Sequence, residues 1–102
     1  MKTLEQIRRQ LMDGEFDFSH HAFRRTVERN ISEKEIQEAG VGAIVVEEYP
    51  DDKYGPTWRV LGFTGPGRPL HIQVSVADSP YVRIVTLYEP SEHRWQDYTR
   101  RR

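Results

Sequence analysis

The chain changes character at Gly40 and Gly42, and this single break constrains the fold more than any other feature. Before it, apolar residues recur at helical intervals; after it, β-branched and aromatic residues dominate. Thr3-Leu4-Glu5-Gln6 has the spacing of a capping box, and Leu4, Ile7 and Leu11 follow on one face until Asp13-Gly14, which predicts a helix over 4–12. Ser19 precedes a second helical run to Arg29, in which Phe23 and Val27 are expected on the buried side, and Asn30 suits the left-handed residue that ends it. Ser32-Glu33-Lys34-Glu35 is another capping box, opening a short helix that buries Ile36 and Ala39 and closes at Gly40. Beyond the break, residues 43–49, 57–64, 69–77 and 82–89 read as strands, separated by turns at Pro50-Asp51-Asp52, Gly65-Pro66-Gly67 and Asp78-Ser79-Pro80.

The pattern therefore predicts an α+β fold, with N-terminal helices packed on one face of a four-stranded antiparallel sheet and a short C-terminal helix docked by Trp95. A tight last turn would pair Val76 with Val82, Val74 with Ile84 and Ile72 with Thr86, an apolar face for the helices. The other face would carry His71, Gln73 and Ser75 beside Arg83, Val85 and Leu87, with Gly62 opposite His71 and Trp58 and Val60 on the same side. The chain has 102 residues, and a single domain is expected, helical over 1–40, with a sheet over 43–89 and a tail over 90–102 ending in Arg100-Arg101-Arg102.

Composition narrows the chemistry. There is no cysteine, which excludes disulfides, thiolate metal sites and a cysteine nucleophile. Lys and Arg number 15 against 16 Asp and Glu, so any basic site must be local. The longest apolar run, Ala43-Ile44-Val45-Val46, is far short of the roughly 18 residues that a membrane span needs. No signal-like stretch follows Met1-Lys2, and a cytoplasmic protein without a membrane partner is expected. His20 and His21 lie about 100° apart on a helix and make a poor metal pair. Thr64-Gly65-Pro66-Gly67-Arg68 lacks the lysine of a phosphate loop and reads as a hairpin turn. Neither metal nor other cofactor is expected.

The segment from Phe18 to Ser32 is the most informative. On one helix face His21, Arg25 and Glu28 fall together, with Arg29 beside them. Taken alone, Arg25 and Glu28 read first as a surface ion pair worth a few tenths of a kcal/mol, ahead of a catalytic role. The matching blocks His21-Ala22, Arg25, Glu28-Arg29 and Ile31-Ser32 resemble the opening motif of a family of small bacterial proteins of unassigned function. Glu47-Glu48-Tyr49-Pro50-Asp51-Asp52, Leu61-Gly62, Gly67-Arg68-Pro69-Leu70-His71 and Ile84-Val85-Thr86-Leu87-Tyr88-Glu89-Pro90 are similar to its later blocks. Asn30 stands where that family usually has glycine, a change that keeps a residue tolerant of positive φ. The family is grouped with RelE-like and BrnT-like toxins of toxin-antitoxin pairs. That resemblance implies a RelE/barnase-like toxin fold, metal-independent endoribonuclease activity and two partners, RNA, free or ribosome-bound, and a cognate antitoxin.

Metal-free RNA cleavage needs a base for the 2′-hydroxyl, a cation for the phosphorane and an acid for the leaving 5′-oxygen. His21 and His71 are the candidates for the proton steps, with Glu28 as a base or as the group orienting Arg25. Arg25, Arg29, Arg68 and Arg83 are candidates for phosphate contacts, and Tyr88 for stacking on a base or donating a proton. The alternative is a non-catalytic protein-binding module that uses the charged helix and the Trp58 face for a protein partner, with the acidic Glu47 and Glu48 able to dock a basic one. Arg100-Arg101-Arg102 read as a contact for phosphate or an acidic partner, or more simply as a solvated end.

Overall fold

In the computed structural model, which describes residues 1–53 and 55–102, the order of elements is α1 (Leu4–Met12), β1 (Phe16–Phe18), α2 (His20–Glu28), α3 (Glu33–Gly40), β2 (Ile44–Tyr49), β3 (Thr57–Phe63), β4 (Pro69–Ser75), β5 (Val82–Tyr88), β6 (Trp95–Gln96) and β7 (Arg100–Arg101). Both capping boxes form: Thr3 and Gln6 bond reciprocally at the start of α1, as do Ser32 and Glu35 at α3. Asn30 takes φ 53, in the left-handed region.

The expectation of a four-stranded antiparallel sheet is corrected. The main sheet has five strands in the order β1-β5-β4-β3-β2, and β1 runs parallel to β5, pairing Phe16 with Val82 and Phe18 with Ile84. Where β1 stops, α2 takes its place along β5. Ser19 makes that handover, its amide donating to Ile84 O at 2.9 Å and its hydroxyl to Val85 O at 3.2 Å while its Oγ accepts from Ala22 N.

Leu70, Ile72 and Val74 of β4, Val60 of β3 and Val82, Ile84 and Leu87 of β5 share the core with Ile7, Leu11, Ile36 and Ala39 of α1 and α3. Burial of this kind is worth about 1.5–3 kcal/mol per large side chain. Within α2, Ala22 alone is buried, so Phe23 and Val27, 59% and 70% exposed, do not face the core as expected.

Two register corrections decide what reaches the opposite face. β5 carries a bulge: Val74 pairs with Ile84 but Gln73 pairs with Thr86, which leaves Val85 as an extra residue. Beyond it the alternation is inverted. Leu87, expected on the polar face, joins the core opposite Ile72, and Tyr88 is brought opposite His71. On the other side of β4, Leu61 pairs with His71 and Gly62 with Leu70, one residue away from the expected pairing. Arg59, not Val60, is therefore the β3 residue aligned with Gln73 on the His71 face. Gly62 instead lies under α3, where an added Cβ would sit 2.0 Å from Ala39 O.

The tail is not helical. β6 and β7 pair antiparallel through a turn in which Asp97 and Tyr98 take φ 53 and 61 and Thr99 N donates to Gln96 O at 3.0 Å. Successive positive φ values are those of a type I′ hairpin turn. The hairpin seats Trp95, 3% exposed, against the sheet. No helix among the described residues is long and apolar enough to cross a membrane.

Candidate active site

His71 is fully buried in the middle of β4. Its Nε2 lies 2.6 Å from the Tyr98 carbonyl oxygen and its Nδ1 3.0 Å from the Tyr88 hydroxyl. A carbonyl only accepts, so Nε2 carries the proton, and in the neutral ring Nδ1 accepts from Tyr88 Oη. The rings of Tyr88 and Trp95 stand edge-on to the imidazole at 5.2 and 4.5 Å between centroids. Burial pushes the His71 pKa below its ordinary value and holds the Tyr88 hydroxyl above its own.

Arginines surround this pair. The Arg59 guanidinium lies 5.5 Å from the Tyr88 ring centroid and 5.1 Å from that of Tyr49, and that of Arg29 lies 5.9 Å from Tyr88. Arg59 donates from Nη1 to Glu47 at 2.8 Å and from Nη2 to Gln73 at 3.0 Å, while its Nε is buried without a hydrogen-bond partner among the described residues. Glu47 also accepts from the Tyr49 hydroxyl and from Arg101, whose guanidinium lies over Trp95 at 4.7 Å. The Arg101 hydrogen bond holds the Glu47 carboxyl below the usual carboxylate range. Glu47 is thus enclosed by cations and does not form an open acidic patch with Glu48, and Arg101, though exposed, is tied to Glu47 and is not a free end.

Together these groups line a cleft of about 620 Å³ walled by Arg29, Arg59, Arg68, Arg94 and Arg101, with Tyr88, Trp95, Ser91 and Glu89. Five guanidinium groups line the wall against Glu89, with Glu47 paired to Arg59 and Arg101 and Glu35 paired to Arg68 from behind, which leaves a modest cationic excess in a chain whose net charge is -1.

The candidates read from sequence divide into two groups. Tyr88, Arg29 and Arg68 line the cleft, and His71 supports Tyr88 from beneath. Arg29 donates to Leu87 O at 2.7 Å. Arg68 is committed to Glu89 at 2.7 Å, Glu35 at 2.9 Å and the carbonyls of Asn30 and Arg29 at 2.9 and 3.1 Å, which makes it a clamp between β4, α3 and the α2–α3 connection. His21 and Arg25 lie outside this cleft, in an adjoining groove of about 310 Å³ with Lys53, Gln73, Val85 and Thr86. Glu28 is the 2.8 Å partner of Arg25 on the exposed side of α2. Arg83 pairs with Asp17 at 3.3 Å across β5 and β1 and lines neither cavity. Among the described residues no group of three or more His, Cys, Asp or Glu could hold a metal ion.

Sequence reasoning misses Arg59, Arg94, Arg101 and the role of Glu47. A register with Leu61 opposite His71 would find Arg59; the others depend on the tail hairpin.

The buried imidazole makes stability depend on pH. An unfolded chain takes up a proton at His71 below about pH 6.5, whereas the folded chain resists it until a lower pH. The stabilisation is complete above about pH 6.5 and is lost as pH falls from there through the folded-state value. Urea midpoints measured from about pH 8 to pH 5 are expected to fall on the acid side, and a His71→Gln variant to lose most of that slope. A wild-type midpoint that stays level across this window would contradict the buried neutral state.

The family described as "Domain of unknown function (DUF4258)" matches residues 18–89. No curated protein and no solved structure matches the chain.

Proposed function

We propose, for a chain that belongs to the DUF4258 family, that it is a metal-independent endoribonuclease acting as the toxin of a type II toxin-antitoxin pair. The observation that carries the reading is the Tyr88–His71 hydrogen bond set beneath a wall of arginines.

Arg29 and Arg59, on either side of the Tyr88 ring, hold the scissile phosphate and stabilise the charge of the phosphorane. The Tyr88 hydroxyl takes the proton of the 2′-hydroxyl as it passes its own to His71 Nδ1. The 2′-oxygen bonds to phosphorus, the bond to the 5′-oxygen breaks, and water at the open mouth protonates the leaving oxygen. The products are a 2′,3′-cyclic phosphate and a 5′-hydroxyl, and the imidazolium returns its proton to solvent through Tyr88. In this scheme the two-histidine division of labour gives way to a tyrosine-histidine relay, because His21 lies outside the cleft. The resemblance to RelE-like and BrnT-like toxins supports a cognate antitoxin as partner.

A non-catalytic protein-binding module is the second reading, favoured by the exposure of Phe23 and Val27 on α2. One experiment separates the two. The purified chain, in EDTA, is incubated with end-labelled single-stranded RNA, with and without ribosomes, and the ends of the fragments are mapped. Cyclic-phosphate and 5′-hydroxyl ends, suppressed by the product of the neighbouring gene, are expected. Intact RNA under both conditions, with protein shown to be folded, would remove the ribonuclease reading in favour of the binding module.

A further inference from the structure

The groove around His21 and the arginine cleft share one floor. Tyr88 lines the cleft and Thr86, two residues earlier on β5, lines the groove, while Arg59 of the cleft donates to Gln73 of the groove at 3.0 Å. On the wall above, Arg25 of the groove on α2 and Arg29 of the cleft, the C-cap of α2, are about one helical turn apart, with His21 a further turn back. The side chains lining the groove include the cationic Arg25 and Lys53, His21 and no carboxylate. Glu28 beside Arg25 and Asp52 at 2.9 Å from Gln73 are acidic groups, among the described residues, that contact its lining.

We propose that this groove is a second nucleotide subsite, so that single-stranded RNA runs along α2 and β5 from the His21–Arg25 groove into the arginine cleft. From His21 to Arg29 the helix rises about 12 Å, roughly three steps of a stacked strand at about 3.4 Å per phosphate. Arg25 offers its guanidinium to a phosphate there in exchange for Glu28, an exposed ion pair of small net worth. Val85, the extra residue of the bulge, supplies the groove's apolar contact for a base. The inference rests on the cleft being an RNA site, and its test keeps the two separable.

The probes are fluorescein-labelled 2′-O-methyl oligonucleotides of two to six residues, which cannot be cleaved through the 2′-oxygen, titrated with the full chain and followed by anisotropy. Affinity is expected to rise about tenfold between the dinucleotide and the pentanucleotide and then level off. Arg25→Gln, at a half-buried position, and His21→Gln, at an exposed one, should erase that rise, with folding checked by circular dichroism. Arg25→Gln should also make the dependence of log K on log salt shallower by about 0.7 for the pentanucleotide. Affinity that does not change with length, or an unchanged salt slope in Arg25→Gln, overturns the second subsite while leaving the cleft as an RNA site. Failure of every length to bind overturns both.

Discussion

Gly62→Ala is expected to unfold at least about 12 °C below the parent chain, a loss of about 3 kcal/mol. The backbone of Gly62 is not unusual; the constraint is space. An alanine Cβ at that point of β3 would meet Ala39 O at 2.0 Å, Ala39 C at 2.6 Å and Ala39 Cα at 2.9 Å. All three are backbone atoms of α3 near its end, so no side chain can swing away to make room. Either β3 leaves its register between β2 and β4 or α3 lifts off the sheet, uncovering Ile36 and Ala39. The penalty is of the overpacking kind, in which a well-filled interior accepts no added methyl without moving its elements. Differential scanning calorimetry of the two proteins measures it directly, and a shift of less than about 4 °C would mean that α3 does not rest on Gly62.

Tyr88→Phe is expected to slow RNA cleavage by about 10²–10⁴-fold, which follows from the proposed relay. The substitution removes one oxygen and leaves the ring between Arg29 and Arg59. Its structural cost is the unpaired Nδ1 of His71, about 1–3 kcal/mol. Fragment yield against time, compared with the parent chain at saturating RNA, separates a loss of turnover from a loss of binding. Cleavage at the parent rate would exclude Tyr88 from the proton path.

Much of the helical layer is legible in the sequence, because its signals are local. Thr3 with Gln6, and Ser32 with Glu35, write their capping geometry in four residues, and the glycine and proline turns bound β3, β4 and β5 within a residue or two. What escapes depends on partners distant in sequence or on single insertions. Phe16-Asp17-Phe18 is too short to announce a strand, and its partner lies 66 residues away. The Val85 bulge adds no turn residue to the sequence, yet it inverts the faces of Leu87 and Tyr88. The tail turn uses Asp97 and Tyr98 at positive φ where glycine or asparagine would have signalled it. The site inherits these gaps. His71, Tyr88, Arg29 and Arg68 stand out as residues, but the Tyr88–His71 bond needs the bulge, Arg59 needs the β3 register, and Arg101 needs the hairpin.

The parallel pairing of β1 with β5 also bears on how the chain reaches this fold. Contacts such as Arg83 with Asp17 and Ser19 with Val85 close loops of 66 residues, and Lys2 bonds to Ser79 across 77. The β2–β5 meander closes only short loops, at an entropic cost lower by about 1 kcal/mol per closure. The meander is therefore expected to collapse first, with α1, β1 and α2 arriving later on a surface already made. Until they do, the Val82–Ile84 edge that β1 will cover is an unpaired strand border, open to another molecule in the same condition. The two halves divided at Gly40 and Gly42 are consequently not two units of folding. α3 can settle on β3 and β4 as soon as they pair, but β1 and α2 have no strand to rest on until β5 has been synthesised, and for them the order of synthesis runs opposite to the order of assembly.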